Sequence, residues 1–285
     1  MKTKKILIIG ADGMLGRAVF DVLKSEDYFL LTPSREILDI TDKKSIGNFI
    51  EANKPDLIIN CSAYTNVNEA EDTGKELNYL VNHIGLKNVV DSTSQYNVVL
   101  IHFSTDYVFG ENKQDGYTED DLPHIQLNEY GCAKRLGEIE VEKSKNKFFI
   151  FRVSWLFGPG KKNFVSTIAE LAQKNTELNV VDDEFGVPTY TYDVAQSLAK
   201  FLENIETYSS GYYHMVNEGI CSRFEEAKFI IDHLKLNCVV NPIKLKDYKR
   251  KANVPHYSIL INTKLPKLRF WQEAVAEYID KYIKI

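Results

Sequence analysis

The feature that most constrains this chain is a glycine turn near its start. Residues 5–9, KILII, are a short unbroken apolar run, and Gly10-Ala11-Asp12-Gly13-Met14-Leu15-Gly16 follows at once. Residues 14–24, MLGRAVFDVLK, then carry apolar side chains at helical spacing. An apolar run that short, stopped by glycine, predicts a strand buried on both faces. In a strand–turn–helix of this kind the first glycine permits the tight turn. The second brings main-chain amides close to a pyrophosphate, and the third lets helix and strand pack. The helix N-terminus adds partial positive charge. A purely structural turn is the competing reading. The position of the motif at the head of the chain, between strand and helix, points to a dinucleotide.

The rest of the first half repeats that rhythm. Strands are expected at 28–32, 57–63, 98–105 and 148–155, and helices at 39–53, 74–94 and 129–144. The second of these helices places Leu77, Leu80, Val81 and Ile84 on one face. Alternating strand and helix is the pattern of a doubly wound, parallel α/β sheet of Rossmann type. After about residue 155 the rhythm changes. A helix at 163–175 is followed by the turn-rich segment 180–195 and an alternating stretch, GYYHMVN, at 211–217. Ser222 to Glu225 form a capping box for the next helix, and WQEAVAEYIDKYI is an amphipathic tail. Residues 1–155 are therefore expected to be a dinucleotide-binding core. Residues 156–285 are expected to form mainly a smaller substrate-binding lobe, with some segments returning to the core.

Composition narrows the partners. The net charge is −5 with both signs scattered, so no basic block invites nucleic acid. No apolar stretch is long enough to span a bilayer, and the N-terminal run breaks at Gly10, too soon for a signal peptide. Cys61, Cys132, Cys221 and Cys238 stand far apart without a CxxC pair, which argues against zinc and against a disulfide framework. Reduced thiols fit a cytoplasmic protein.

The tip of the second strand bears on the dinucleotide. A carboxylate there would take the adenosine ribose hydroxyls and favour NAD. The segment instead reads Thr32-Pro33-Ser34-Arg35. Arg35 either meets a 2′-phosphate or is a solvated loop cation beside Glu36. NADPH or NADH is expected, with the lean towards NADPH.

Two segments carry the chemistry. One is His102-Phe103-Ser104-Thr105-Asp106-Tyr107, at the end of a strand, and the other is Tyr130-Gly131-Cys132-Ala133-Lys134. Tyr130 and Lys134, four residues apart, share a helix face. An ammonium beside a phenol lowers the phenol's pKa and suits it to act as a general acid. Ketone reduction needs a hydride on carbon, which a nicotinamide supplies, and a proton on oxygen, which Tyr130 supplies. Thr105 adds a hydrogen bond to the developing alkoxide. Tyrosine and lysine at this spacing are ordinarily surface residues. The glycine turn and the polar strand end give them meaning.

Together these segments resemble the extended short-chain dehydrogenase/reductase superfamily, and closely the dTDP-4-dehydrorhamnose reductase family. The resemblance runs through GADGMLG, ILDITD, NCSAYTNVNEAE, STDYVFG, LNEYGCAKRLGE and FRVSWLFGPGKKNF, and continues in VVDDEFGVPTYTYDVA, GYYHMVNEG and PHYSILINTKL. It implies an NAD(P)H-dependent reduction of the C4 keto group of a nucleotide-linked 6-deoxy sugar. The substrate would be dTDP-4-dehydro-L-rhamnose, and the product, dTDP-L-rhamnose, would feed cell-surface polysaccharide synthesis. Gly10, Gly13, Met14 and Leu15 would line the pyrophosphate. Asp39 and Ile40 would lie by the adenine, and Cys61, Ser62, Ala63 and Tyr64 would border the cofactor. Thr105, Tyr130 and Lys134 would be the catalytic set. Ser104 and Thr105 would touch the sugar and Trp155 would pack on it. Asn82 would support the lysine through water. On the residues alone, Trp155 also reads as a core aromatic, Asn82 as a helix-face residue and Asp39 as a helix cap.

The chain departs from the family pattern in places. Val254-Pro255 replaces an Arg-Pro, removing a cation near the substrate, with Arg250 or Lys251 the nearby replacements. Asn68 stands for Asp, and Gln126 for Pro. The resemblance allows a homodimer, and in the family magnesium held by carboxylates can pair subunits. No matching carboxylates are evident here, so no metal is expected. Three alternatives follow: a reductase of another nucleotide-keto-sugar, a non-catalytic regulatory subunit like that of methionine adenosyltransferase, and an epimerase on the same fold that would use the cofactor without net consumption. The intact Thr105, Tyr130 and Lys134 speak against the second.

Overall fold

The computed structural model describes residues 3–284. Six parallel strands form its centre: β1 (Lys4–Ile9), β2 (Tyr28–Leu31), β3 (Leu57–Asn60), β4 (Val99–Thr105), β5 (Phe148–Val153) and β6 (Gly211–His214). Their spatial order is β6-β5-β4-β3-β1-β2. Ile6 and Ile8 of β1 enter one core and Leu7 and Ile9 the other. Burial on both faces is why the strand reads as an unbroken apolar run.

Helices cover the two faces. On one lie α1 (Met14–Leu23) and α6 (Thr191–Glu203), packed together through Val19, Leu23, Val194 and Leu198. On the other lie α2 (Lys43–Asn53), α3 (residues 75–93) and α4 (Glu129–Glu142). The alternating stretch at 211–217 supplies β6, which pairs with β5 in register Tyr213↔Phe151. Both α6 and β6 therefore belong to the central layer although they come after residue 155. The second lobe packs α5 (Phe164–Lys174), α7 (Arg223–Leu234) and α8 (Trp271–Tyr282) around Ile168, Ile230 and Val275. The capping box at Ser222 and Glu225 opens α7 as the sequence predicts.

Helix α3 differs from its simple periodic pattern. Between helical Lys75–Tyr79 and Leu86–Thr93 it makes a π-helical turn, Leu80–Gly85. Leu77, Leu80 and Ile84 are exposed, whereas Asn78 and Asn82 are buried. Asn78 donates to the Glu129 carbonyl and Asn82 bonds the Tyr64 main chain, so the polar side of the helix faces neighbouring backbone.

Two contacts fix α4 on the sheet. Arg152 of β5 donates to Glu138 from Nε and Nη2, both at 2.9 Å, with both side chains buried. This bidentate geometry holds direction as well as distance. At the helix start, Asn128 accepts from the Gly131 N–H at 2.8 Å and donates to the Asn253 carbonyl at 2.9 Å. The helix bearing Tyr130 and Lys134 is thus anchored at its N-terminus and in its third turn.

Candidate active site

A cleft of about 610 Å³ opens over the carboxyl ends of the strands. It lies where strand order reverses between β1 and β3, the place where doubly wound sheets bind ligands. Gly10, Gly13, Met14 and Leu15 form its floor. Gly10 has φ 76°, and a Cβ there would stand 2.8 Å from the Ser62 nitrogen. A Cβ on Gly16 would stand 2.1 Å from the Gly10 carbonyl oxygen. Only glycine lets turn, helix and neighbouring loop approach this closely. Helix α1 has no side-chain cap and no acidic residue in its first turn. Its first amides are left for an anion, which suits a pyrophosphate.

Arg35, Asp39, Ile40, Cys61, Ser62, Ala63 and Tyr64 also line the cleft. Arg35 Nε reaches Asp39 at 3.4 Å. Asp39 accepts from the Thr41 N–H at 2.9 Å and from its hydroxyl at 2.7 Å. Those bonds make a turn, so α2 does not begin at Asp39. It begins at Lys43, capped by Asp42, and the cap reading of Asp39 is corrected. Asn82, expected to act on the lysine, does not line the cleft. Its Oδ1 accepts from the Tyr64 N–H at 3.1 Å, and its Nδ2 donates to the Tyr64 carbonyl at 2.9 Å and to Asn78 at 2.7 Å. The amide is spent on shaping the loop that borders the cleft.

The far end of the cleft gathers Ser104, Thr105, Tyr130, Lys134 and Trp155. Thr105 ends β4 and donates to the buried Asp106 carboxylate at 2.9 Å, and Ser154 donates to the same carboxylate at 3.0 Å. Burial raises the pKa of Asp106 to about 6 despite the hydrogen bonds from Thr105 and Ser154. The expected lowering of the Tyr130 pKa is not found. Burial pushes the phenol up, and only a hydrogen bond with Thr105 works against it. The reason is where the Lys134 nitrogen points. It donates to the Phe103 carbonyl at 2.7 Å and lies 3.1 Å from His102 Nε2. Burial also brings Lys134 itself down to about 8.

Trp155 has φ 43°, a left-handed conformation that is strained for a bulky residue and is held in place by its surroundings. The guanidinium of Arg223 lies 3.3 Å from its ring centroid. Arg223, the first residue of α7, lines the cleft, whereas Arg250, Lys251 and Val254 do not. Arg250 is held by Glu184 at 2.9 Å, and Lys251 is paired with Asp72. The cations that line the cleft from the second lobe are therefore Arg223, Lys161 and Lys162, and neither of the two neighbours in sequence. Sequence spacing could not reveal Arg223, because α7 reaches the cleft only through the second lobe. Asp106 and Tyr107 also line the cleft and were missed, although they sit inside the STDYVFG segment. Among the described residues, no cluster of three or more His, Cys, Asp or Glu could hold a metal ion, and no helix is long and apolar enough to cross a membrane.

A family model described as RmlD substrate binding domain matches residues 4–284. This chain belongs to the dTDP-4-dehydrorhamnose reductase family. It is 36% identical over 271 residues to dTDP-4-dehydrorhamnose reductase of Aggregatibacter actinomycetemcomitans, covering 92% of each chain. It is 34% identical over 283 residues to the spore coat polysaccharide biosynthesis protein SpsK of Bacillus subtilis, covering 97% of each. Among solved structures, dTDP-4-dehydrorhamnose reductase of Bacillus anthracis in complex with NADP superposes with a TM-score of 0.91 at 33% identity, over 98% of this chain and 99% of that one. Like other members of the dTDP-4-dehydrorhamnose reductase family, the protein has a Rossmann-type fold and is an NAD(P)-dependent oxidoreductase of nucleotide-linked keto sugars.

Proposed function

We propose that this protein uses NADPH to reduce the C4 ketone of dTDP-4-dehydro-L-rhamnose, giving dTDP-L-rhamnose for cell-surface polysaccharide synthesis. The observation that carries this reading is a single cleft with the glycine turn of α1 at one end and Thr105, Tyr130 and Lys134 at the other. A dinucleotide laid along it has its pyrophosphate on the uncapped helix and its nicotinamide beside Tyr130. When bound, the nicotinamide supplies the hydride. Tyr130 then gives its phenolic proton to the carbonyl oxygen, and Thr105 steadies the developing charge once its hydroxyl turns from Asp106. Arg35, at the tip of β2, is the cation suited to a 2′-phosphate, which supports NADPH over NADH. Residues 1–155 hold the dinucleotide, and the later lobe, through Arg223, closes over the sugar nucleotide.

A second reading, the same chemistry on another nucleotide sugar, is favoured by one departure. Position 254 is valine rather than the family's arginine, and the cations lining the cleft from the later lobe are Arg223, Lys161 and Lys162. The deciding experiment follows NADPH absorbance with dTDP-4-dehydro-L-rhamnose, repeated with NADH. Rapid oxidation, faster with NADPH, is expected. No oxidation by protein that demonstrably binds NADPH would overturn the assigned substrate.

A further inference from the structure

His102 of β4 is buried and does not line the cleft, yet both of its ring nitrogens have partners. Nδ1 lies 3.2 Å from Asn60 Nδ2, and Nε2 lies 3.1 Å from Lys134 Nζ. Asn60 decides which nitrogen carries the proton. The main-chain N–H of Ser62, which can only donate, meets Asn60 Oδ1 at 3.1 Å, and the Ser62 hydroxyl meets the same oxygen at 2.5 Å. The amide oxygen is thereby assigned to the Ser62 side and the NH2 to the His102 side. An NH2 donates, so His102 Nδ1 accepts, and the neutral imidazole carries its hydrogen on Nε2. Burial, reinforced by Lys134, lowers the His102 pKa well below its ordinary value, which keeps the ring neutral. The Nε2–H therefore points at the lysine nitrogen. An ammonium has no lone pair to receive it. A neutral amine has one, and can still donate to the Phe103 carbonyl at 2.7 Å.

We propose that His102, its tautomer set by Asn60 and Ser62, is a positioning residue that stabilises the neutral amine of Lys134. Near neutral pH the lysine is then poised between ammonium and amine rather than being a permanent cation. The other ionisable groups around it are Glu138, one turn along α4, Cys61 after β3, and Tyr130 on its own helix. Glu138 and Cys61 favour the ammonium, but burial outweighs them and brings Lys134 to about 8. Resting on the role proposed above for Tyr130, the balance of a turnover is simple. Tyr130 loses its proton to the substrate oxygen and a proton from solvent restores the phenol; when Lys134 passes from ammonium to amine, one N–H bond breaks and that proton goes to solvent. The lone pair left on Nζ is the one His102 Nε2–H is placed to meet.

The test reads protonation states directly and needs no sugar nucleotide, so its outcome is separate from the identity of the substrate. Nitrogen-15 histidine NMR of the whole protein at pH 7.5, with His102→Gln used for assignment, should show His102 as the Nε2–H tautomer. An Nδ1–H tautomer would overturn the proposal, because Lys134 would then be donating to an imidazole acceptor. The carbon-13 shift of the Lys134 ε-carbon, assigned with Lys134→Met, should titrate with a midpoint near 8. In His102→Gln, whose amide oxygen can accept from an ammonium, the midpoint should rise by about one unit or more. A wild-type midpoint near the ordinary lysine value of about 10.4 also overturns the proposal. If His102→Gln does not fold, the wild-type measurements decide alone, with tautomer assignment by His102→Asn.

Discussion

The Arg223 guanidinium lies 3.3 Å from the centroid of the Trp155 ring and is held there by Glu226 at 3.1 Å and Glu184 at 3.4 Å. Two carboxylates and an aromatic face fix the cation at the wall of the cleft. A cation fixed by its own partners loses little freedom when a ligand arrives. It is one of the cations lining the cleft, with Lys161 and Lys162, in a protein of net charge −5. Replacing it by methionine keeps most of the volume and removes the charge. Arg223→Met should raise the KM for the sugar nucleotide by about 10- to 100-fold, the worth of one charge-assisted hydrogen bond of roughly 1.5–3 kcal/mol. The KM for NADPH should not change. Steady-state kinetics with each substrate varied in turn checks this, and an unchanged sugar-nucleotide KM would remove Arg223 from the site.

Asp106 makes a prediction about pH. Its carboxyl pKa is raised from 3.8 to about 6 in the folded protein, chiefly by burial. The folded state therefore binds more protons than the unfolded one between about pH 4 and 6, and this group's contribution to stability falls as pH rises through that window. Two units correspond to about 3 kcal/mol as an upper bound. Asp106→Asn cannot titrate, so it should gain stability relative to wild type as pH rises from 4 to 7. It should also lose activity, because Thr105 and Ser154 lose a charged acceptor. Chemical denaturation of both proteins across that range reads the difference. A constant gap in stability would show that Asp106 is not the buried titrating group.

Tyr130 is half-buried, and its ring packs edge-on to Tyr107 with centroids 6.2 Å apart. Tyr130→Phe preserves this packing and removes only the proton donor. A fall in kcat of about 10²- to 10⁴-fold is expected, with NADPH affinity kept. Single-turnover kinetics under saturating NADPH measures it, and near-normal turnover would exclude Tyr130 as the acid.

Much of this was legible in the chain because the physics was local. KILII and the glycines after it specify strand, turn and helix within twelve residues. The Tyr130–Lys134 spacing needs only a helix to bring both into one cleft. What depended on distant contacts was not legible. Asn82 looked like a partner of the lysine, but its amide is committed to Tyr64, eighteen residues earlier. The apolar face of Leu77, Leu80 and Ile84 pointed inward by simple periodicity, but that face is exposed and Leu77 and Val81 line the cleft, while Asn78 and Asn82 are spent on distant main chain. The lowered Tyr130 pKa assumed an ammonium aimed at the phenol. Lys134 instead turns to Phe103 and His102 across the sheet, contacts that a four-residue spacing cannot encode.

The same contrast between local rule and tertiary contact separates two glycines. Gly47 lies inside α2, and a Cβ there would meet nothing nearer than the Ser92 hydroxyl at 3.8 Å, an ordinary contact. Gly47→Ala should stabilise the protein by about 0.5–1 kcal/mol, because alanine has less backbone freedom to lose in the unfolded chain. Gly16 also lies inside a helix, yet its Cβ would stand 2.1 Å from the Gly10 carbonyl oxygen and 2.8 Å from the Ala11 Cα. Both neighbours are main chain and cannot rotate away, so the helix must shift from the turn that cradles the pyrophosphate. Gly16→Ala should cost roughly 1–3 kcal/mol or more, as overpacking does, and weaken NADPH binding at least tenfold. Denaturation curves and fluorescence titration with NADPH on both variants provide the check. If Gly16→Ala bound NADPH as wild type does, the close approach of α1 to the turn would not be what builds the site.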